Sequence, residues 1–156
     1  MATTEIQAGD DRRARSREKL ATLVRCRTET LSRLTQLASQ RPFEQNSEIA
    51  AALQDFCQTL IDYTASAHFQ LYRYITDKLE RRSAVLEVAD NIYPEIVRTT
   101  DIILRFNDKY EDAEWMNNGK QLLESLDKDL SRLGEALAER IQLEDKVIGA
   151  ITGQIH

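Results

Sequence analysis

The chain has 156 residues, a usual length for one domain, and its five glycines and two prolines are few, which favours long helices over tight turns. Lys and Arg total 21 against 26 Asp and Glu, a formal net charge of −5. A chain with this balance is expected to be a poor general nucleic-acid binder, because affinity for phosphate depends on Lys and Arg. The charge is uneven, and residues 10 to 27 are basic, with seven cations and three acids. The acidic remainder suits a basic protein partner or simply a soluble surface.

The two cysteines, Cys26 and Cys57, fall on separate predicted helices and do not have metal-ligand spacing. We therefore expect reduced thiols, no disulfide between them and a cytoplasmic protein. The amino terminus has no apolar run, which predicts no signal peptide. No window of about 18 apolar residues exists, so no membrane span is expected.

The first helix is predicted from about Arg12 to Ser39. Residues 1–11 are small and polar and are expected to form a disordered tail, with a single domain over 12–156. The helix ends before Arg41-Pro42, because the residue before a proline avoids the α region.

The second helix, from about Ser47 to Arg81, has the clearest amphipathic pattern. Its apolar stripe consists of Leu53, Cys57, Leu60, Thr64, Leu71 and Ile75. These residues recur at the spacing of one helix face. No glycine or proline interrupts the segment, so it predicts one long central helix.

Two further helices are predicted after it. The third runs from about Ser83 to Asn107 with a kink or break near Pro94, since proline removes a backbone hydrogen bond and clashes with the preceding turn. The loop Tyr110–Gly119 leads to a fourth helix from about Lys120 to Thr152. Four long helices with short connections predict an all-α, up-down-up-down four-helix bundle.

No motif in the sequence indicates catalysis. A di-iron bundle needs Glu-x-x-His on two helices, but the histidines are only His68 and His156, and neither has Glu three residues before it. There is no Cys/His cluster for zinc and no glycine-rich phosphate loop. A thiol such as Cys57 that faces the core is usually inert. We therefore expect no enzyme activity, no cofactor and no metal.

Three polar residues lie on or beside the apolar stripes at a similar height in the predicted bundle: Arg27, His68 and Glu144. A charge in such a position must be paired, because an unpaired buried charge is very costly. We expect Arg27 and Glu144 to form a buried or half-buried pair with His68 hydrogen-bonded nearby. Two alternatives remain: each group reaches the solvent at the edge of the bundle, or the three line a pocket for a small molecule.

The outer face of the second helix carries the second set of candidates. Its members are Asp55, Asp62, Ser66, Phe69 and Arg73. Asp55, Asp62 and Phe69 are seven residues apart in turn, so they lie along one side of the helix. Acids flanking an exposed aromatic ring predict a docking face for a basic, partly apolar partner. The alternative is a solvated face with one exposed phenylalanine, since single exposed apolar residues are common.

Two segments resemble the Rsd/AlgQ family of anti-sigma factors. They are Asp55–Tyr72, DFCQTLIDYTASAHFQLY, and Gly134–Ile148, GEALAERIQLEDKVI. The segment Leu23–Leu34, LVRCRTETLSRL, and the pair Tyr93-Pro94 are similar to the family more weakly. Together these matches touch all four predicted helices.

The resemblance implies a cytoplasmic four-helix bundle that binds the C-terminal helix-turn-helix domain of the housekeeping sigma factor. Occupying this basic domain would withhold the sigma factor from core polymerase and favour alternative ones, as in stationary phase. Asp62 stands where the family has an aspartate tied to sigma binding. The alternative from another functional class is a helical-bundle adaptor that binds a signalling or metabolic protein.

Overall fold

The computed structural model describes residues 2–44, 47–72, 82–111 and 115–152, and within these ranges the side chains of 18–44, 48–72, 82–111 and 119–152. Helix α1 is Ala2–Ala38 and α2 is Ser47–Ala67, which continues as a π-helical turn, His68–Tyr72. Helix α3 is Ser83–Tyr110 and α4 is Trp115–Thr152. Every regular element in the described ranges is helical, which confirms the predicted all-α class.

The helices pack as two neighbouring pairs, α1 with α2 and α3 with α4. Contacts of α2 with α3 and of α1 with α4 join the pairs into one bundle. Short connections make successive helices antiparallel neighbours, so the predicted up-down-up-down four-helix bundle is confirmed.

Helix α1 begins ten residues earlier than the composition predicted. Residues 2–11, which we expected to be disordered, are helical in the structure. They contain no proline and one glycine, Gly9. Extending an existing helix adds a hydrogen bond for each residue ordered, without a new nucleus. The polar composition therefore does not stop the helix.

Helix α3 runs through Pro94 without the predicted break. Tyr93, Pro94 and Glu95 are all exposed, so water can bond to the carbonyl that the missing proline N–H leaves unpaired. The prediction of a break is therefore wrong. A kink at this position stays a prediction. The fourth helix begins at Trp115 instead of Lys120, which shortens the expected loop.

The core is formed by apolar side chains from all four helices. Phe56 of α2 meets Phe106 of α3 edge to face, with ring centroids 5.9 Å apart. Leu23 of α1 and Leu133 of α4 are fully buried in the same cluster. Four of the six stripe residues predicted for the second helix are fully buried: Leu53, Cys57, Leu60 and Leu71. Of the other two, Thr64 is half-buried, and Ile75 lies outside the described residues.

Candidate functional site

Glu144 lies at the centre of a polar cluster inside the bundle. Its side chain is fully buried. The Tyr63 hydroxyl donates a hydrogen bond to Oε1 at 2.6 Å, and the Tyr72 hydroxyl donates one to Oε2 at 3.2 Å. Arg140 Nε lies 3.3 Å from Oε2. Both carboxylate oxygens therefore have partners, which a buried carboxylate requires.

Arg27 approaches the same carboxylate from α1. Its Nη1 lies 3.6 Å from Glu144 Oε1 and 2.9 Å from Asp145 Oδ1. The Arg27 side chain is 14% exposed, whereas Asp145 is 55% exposed. Arg27 thus extends from the buried carboxylate to a solvent-exposed one. The structure thus brings together Arg27 and Glu144, the two residues that the sequence predicted to pair, with Arg27 half-buried and Glu144 fully buried.

Arg140, like Tyr63 and Tyr72, is a member of the cluster that the sequence did not predict. It is 1% exposed, and its Nη1 donates hydrogen bonds to Thr100 Oγ1 at 2.6 Å and to Thr99 Oγ1 at 3.2 Å. Burial lowers the pKa of Arg140, but the oxygens of Tyr63, Tyr72 and Glu144 outweigh that effect and raise it. Arg140 lies four residues before Glu144, and this helical spacing was the available signal.

The two tyrosines are fixed as neutral hydrogen-bond donors. Burial, followed by the negative charge of Glu144, raises the pKa of both Tyr63 and Tyr72 above the usual tyrosine value. Each ring also lies 5.7 Å from the Arg140 guanidinium carbon. We call Arg27, Tyr63, Tyr72, Arg140 and Glu144 the central cluster. The central cluster joins α1, α2 and α4. The hydrogen bonds of Arg140 to Thr99 and Thr100 connect it to α3 as well.

His68 does not belong to this cluster, so its predicted burial is wrong. Its side chain is exposed, and its ring packs edge to face on Phe69 at 5.2 Å. His68 is the first residue of the π-helical turn His68–Tyr72. A π turn holds an extra residue relative to an α turn, so Tyr72 faces inward, five residues after buried Ala67.

The outer face of α2 carries the predicted docking residues. Asp55 and Asp62 are exposed and Ser66 is half-buried, while Phe69 is 56% exposed. Gln58 Nε2 donates a hydrogen bond to Asp62 Oδ1 at 3.0 Å. We call Asp55, Asp62, Ser66 and Phe69 the helix 2 face. Arg73, the fifth predicted member, lies outside the described residues.

Two classes of feature were not found in the part of the chain that the structure describes. No helix there is long and apolar enough to cross a membrane. No group of three or more His, Cys, Asp or Glu side chains there is placed to hold a metal ion.

Comparison with known proteins relates the chain to regulators of a sigma factor. A protein named Regulator of sigma D from Yersinia enterocolitica is 34% identical over 98 residues, which cover 62% of this chain and 57% of that protein. Its namesake from Salmonella arizonae is 37% identical over 105 residues, covering 67% of this chain and 62% of that protein. The Regulator of sigma D from Shigella boydii is 39% identical over 97 residues, which cover 62% of this chain and 59% of that protein.

The chain thus spans about three fifths of the length of these curated relatives. No solved structure shows significant similarity to it. The sequence profile described as "Regulator of RNA polymerase sigma(70) subunit, Rsd/AlgQ" matches residues 2–152. Since this match covers nearly the whole chain and all four helices, the protein belongs to the Rsd/AlgQ family.

Proposed function

We propose that this protein is an anti-sigma factor that binds the C-terminal helix-turn-helix domain of the housekeeping sigma factor and thereby regulates transcription initiation. It acts in the cytoplasm by binding alone, without catalysis, a cofactor or direct contact with nucleic acid. The observation that carries the proposal is the family match over residues 2–152. The names of the relatives, each a regulator of sigma D, support the same class of partner.

The helix 2 face supports this partner on physical grounds. Asp55 and Asp62 present exposed carboxylates on the same side of α2 as the exposed Phe69 ring. A helix-turn-helix domain binds DNA through basic groups that contact phosphates. Carboxylates at this spacing compete with phosphates for such groups, while the aromatic ring next to them supplies apolar burial. The face therefore suits a DNA-reading domain better than an acidic partner.

The central cluster supports the same face from inside the bundle. Tyr63 immediately follows Asp62, and its hydroxyl holds Glu144 of α4 at 2.6 Å. Tyr72, at the end of the π turn that contains Phe69, holds the same carboxylate. Two inward hydrogen bonds thus flank the segment that carries Ser66 and Phe69, and the first of them directly follows Asp62. A docking helix held in place before binding loses less conformational entropy when the complex forms.

The direct test is calorimetric titration of the purified chain with the isolated C-terminal domain of the housekeeping sigma factor. The same sigma factor without that domain is the matched control. We expect saturable binding to the domain, none to the control, and displacement of the domain from promoter DNA. Binding only to the sigma factor without its C-terminal domain, or to neither, would refute the proposal.

The adaptor alternative is tested in the same experiment series. The immobilised chain is mixed with lysate in the presence of excess free sigma C-terminal domain. Under the proposed function the free domain removes sigma factor from the captured proteins. A different captured protein that resists this competition and binds in purified form favours the adaptor.

A further inference from the structure

A groove of about 340 Å³ lies between α2 and α3, next to the helix 2 face. On the α2 side its wall is formed by Thr64 and His68, and on the α3 side by Tyr93, Val97 and Leu104. The neighbouring Phe69 ring packs on His68. The helix 2 face and the groove therefore form one continuous surface.

The outer rim of this groove is apolar. Tyr93, Val97 and Leu104 are 52%, 49% and 44% exposed, and their spacings of four and seven residues place them on one stripe of α3. With Phe69 across the groove they are four of the five large apolar side chains that are exposed in the described ranges; the fifth, Val24, lies on α1. Apolar side chains concentrated at one place mark an interaction site, whereas scattered ones do not.

The floor of the groove does not favour a charged small molecule. Arg140 and Tyr72 lie there, but the Arg140 guanidinium already donates to Thr100 and faces Glu144. An added anion would compete with Glu144 for the same cation, in a site where charge is costly to bury. The open part of the groove therefore fits apolar side chains.

Asp101 lines the groove, and further exposed acidic side chains lie near the groove residues in the sequence of both helices. Asp90, Asp101 and Asp108 on α3 are exposed, and each lies three or four residues from Tyr93, Val97 or Leu104, so they flank the apolar stripe. On α2 the exposed Asp62 lies two residues before the groove residue Thr64. Asp101 is partly neutralised by Arg105 at 2.9 Å. An apolar groove with acidic side chains in it and near it on both helices is complementary to a helix with one apolar face and basic flanks.

We propose that this groove receives a basic amphipathic helix of the protein's partner. Apolar side chains of that helix pack between Phe69 and the stripe of Tyr93, Val97 and Leu104, and its basic flanks face Asp62 and Asp108. The inference rests on the proposed function and extends it, because it places the docking surface across α2 and α3 instead of on α2 alone.

The test compares three forms of the full chain: wild type, the double variant Val97→Ser/Leu104→Ser, and Val24→Ser as the matched control. Val24 is also an exposed apolar helix residue, at 37%, but it lies on α1 away from the groove. Serine removes apolar area without adding a charge that would itself attract a basic partner. Thermal melts verify folding. If the melting temperature of the double variant is well below that of wild type, the two single variants are used in its place.

Each form is titrated with two probes. One is the isolated sigma C-terminal domain. The other is a synthetic helical peptide with leucines on one face and lysines elsewhere, compared with a peptide that has glutamates in place of the lysines. We expect at least tenfold weaker binding of the sigma domain and of the lysine peptide to the double variant, no change for Val24→Ser, and no binding of the glutamate peptide.

The outcomes separate this inference from the proposed function. Equal binding of the sigma domain to all three forms refutes the groove as the docking site. The proposed function is not affected by that result. If the sigma domain binds none of them, the proposed function fails. The titrations with the lysine peptide then test whether the groove binds a basic amphipathic helix. Binding of the lysine peptide to wild type and Val24→Ser but not to the double variant then supports the docking site in the groove. Equal binding to all three forms, or no binding to any, refutes it.

Discussion

The Tyr63 hydroxyl on α2 donates a 2.6 Å hydrogen bond to the buried carboxylate of Glu144 on α4, although the two residues are 81 positions apart in the chain. Tyr63 directly follows the exposed Asp62. One turn of α2 is therefore attached to the opposite helix through its inner side while its outer side faces solvent. The buried polar residues and the proposed docking residues belong to one structural unit.

We expect Glu144→Ala to lower the free energy of unfolding by about 3 kcal/mol or more, because it leaves Arg140 as a buried, uncompensated charge. Urea denaturation at neutral pH measures the change. Glu135→Ala is the matched control on α4, since Glu135 is exposed and should change stability by less than about 0.5 kcal/mol. Equal effects of the two substitutions would mean that the central cluster contributes nothing specific.

Stability should decline at alkaline pH. Burial and then Glu111 raise the pKa of the Cys57 thiol from 9.0 to about 12, and burial raises the pKa of Tyr63 and Tyr72. The unfolded chain loses these protons at lower pH than the folded chain. The stability that these protonated groups contribute to the folded state is therefore fully present below about pH 9. It is lost as pH rises from 9.0 towards about 12.

Thermal melts between pH 7 and 11 measure this decline. The variant Cys57→Ala should start less stable, because it leaves a small cavity, but its melting temperature should fall less steeply with pH. A wild-type melting temperature that is constant up to pH 11 would contradict the prediction.

The two free thiols should differ in reactivity. Cys26 is half-buried and Cys57 is buried, and the raised pKa of Cys57 leaves little thiolate at pH 8. In the native protein iodoacetamide should therefore modify Cys26 first and leave Cys57 largely unmodified, as mass spectrometry of peptides would show. In denaturant both should react at similar rates. Rapid native modification of Cys57 would show that the core opens more readily than its burial indicates.

Asp62→Ala should weaken binding of the sigma C-terminal domain and hardly change the melting temperature. Asp62 is exposed, and its side chain accepts a local hydrogen bond from Gln58 on the same helix, so its loss leaves the core intact. The loss in binding free energy should be about 2 kcal/mol if Asp62 faces a basic group that loses its water in the complex. A charge at the rim would instead change mainly the association rate, and the change would vanish at high salt.

Phe69→Ala should also weaken this binding, but with little dependence on salt. The ring is 56% exposed, and burying it in a complex is an apolar contribution, which ionic screening does not reduce. Titrations at low and high salt, with Glu135→Ala as a control for surface substitution, distinguish the two effects. If neither Asp62→Ala nor Phe69→Ala changes the affinity, the helix 2 face is not the docking surface.

Several features could be predicted from local sequence. Apolar spacing and the scarcity of glycine and proline predicted the four helices, because amphipathic periodicity depends only on neighbouring residues. The same periodicity placed Asp55, Asp62 and Phe69 on one exposed side of α2. The positions of Arg27 and Glu144 on apolar stripes predicted their proximity, since a charge at such a position requires a partner.

Other features depend on contacts between distant helices, and only the tertiary structure decided them. His68, at the start of the π turn, is exposed, whereas Tyr72, at its end, is buried and reaches Glu144 of α4. Arg140 is buried because Thr99 and Thr100 of α3 accept its hydrogen bonds. The groove exists only where α2 and α3 meet. Helical periodicity determines which side of each helix is apolar, but it contains no information on which side chains of two separate helices meet.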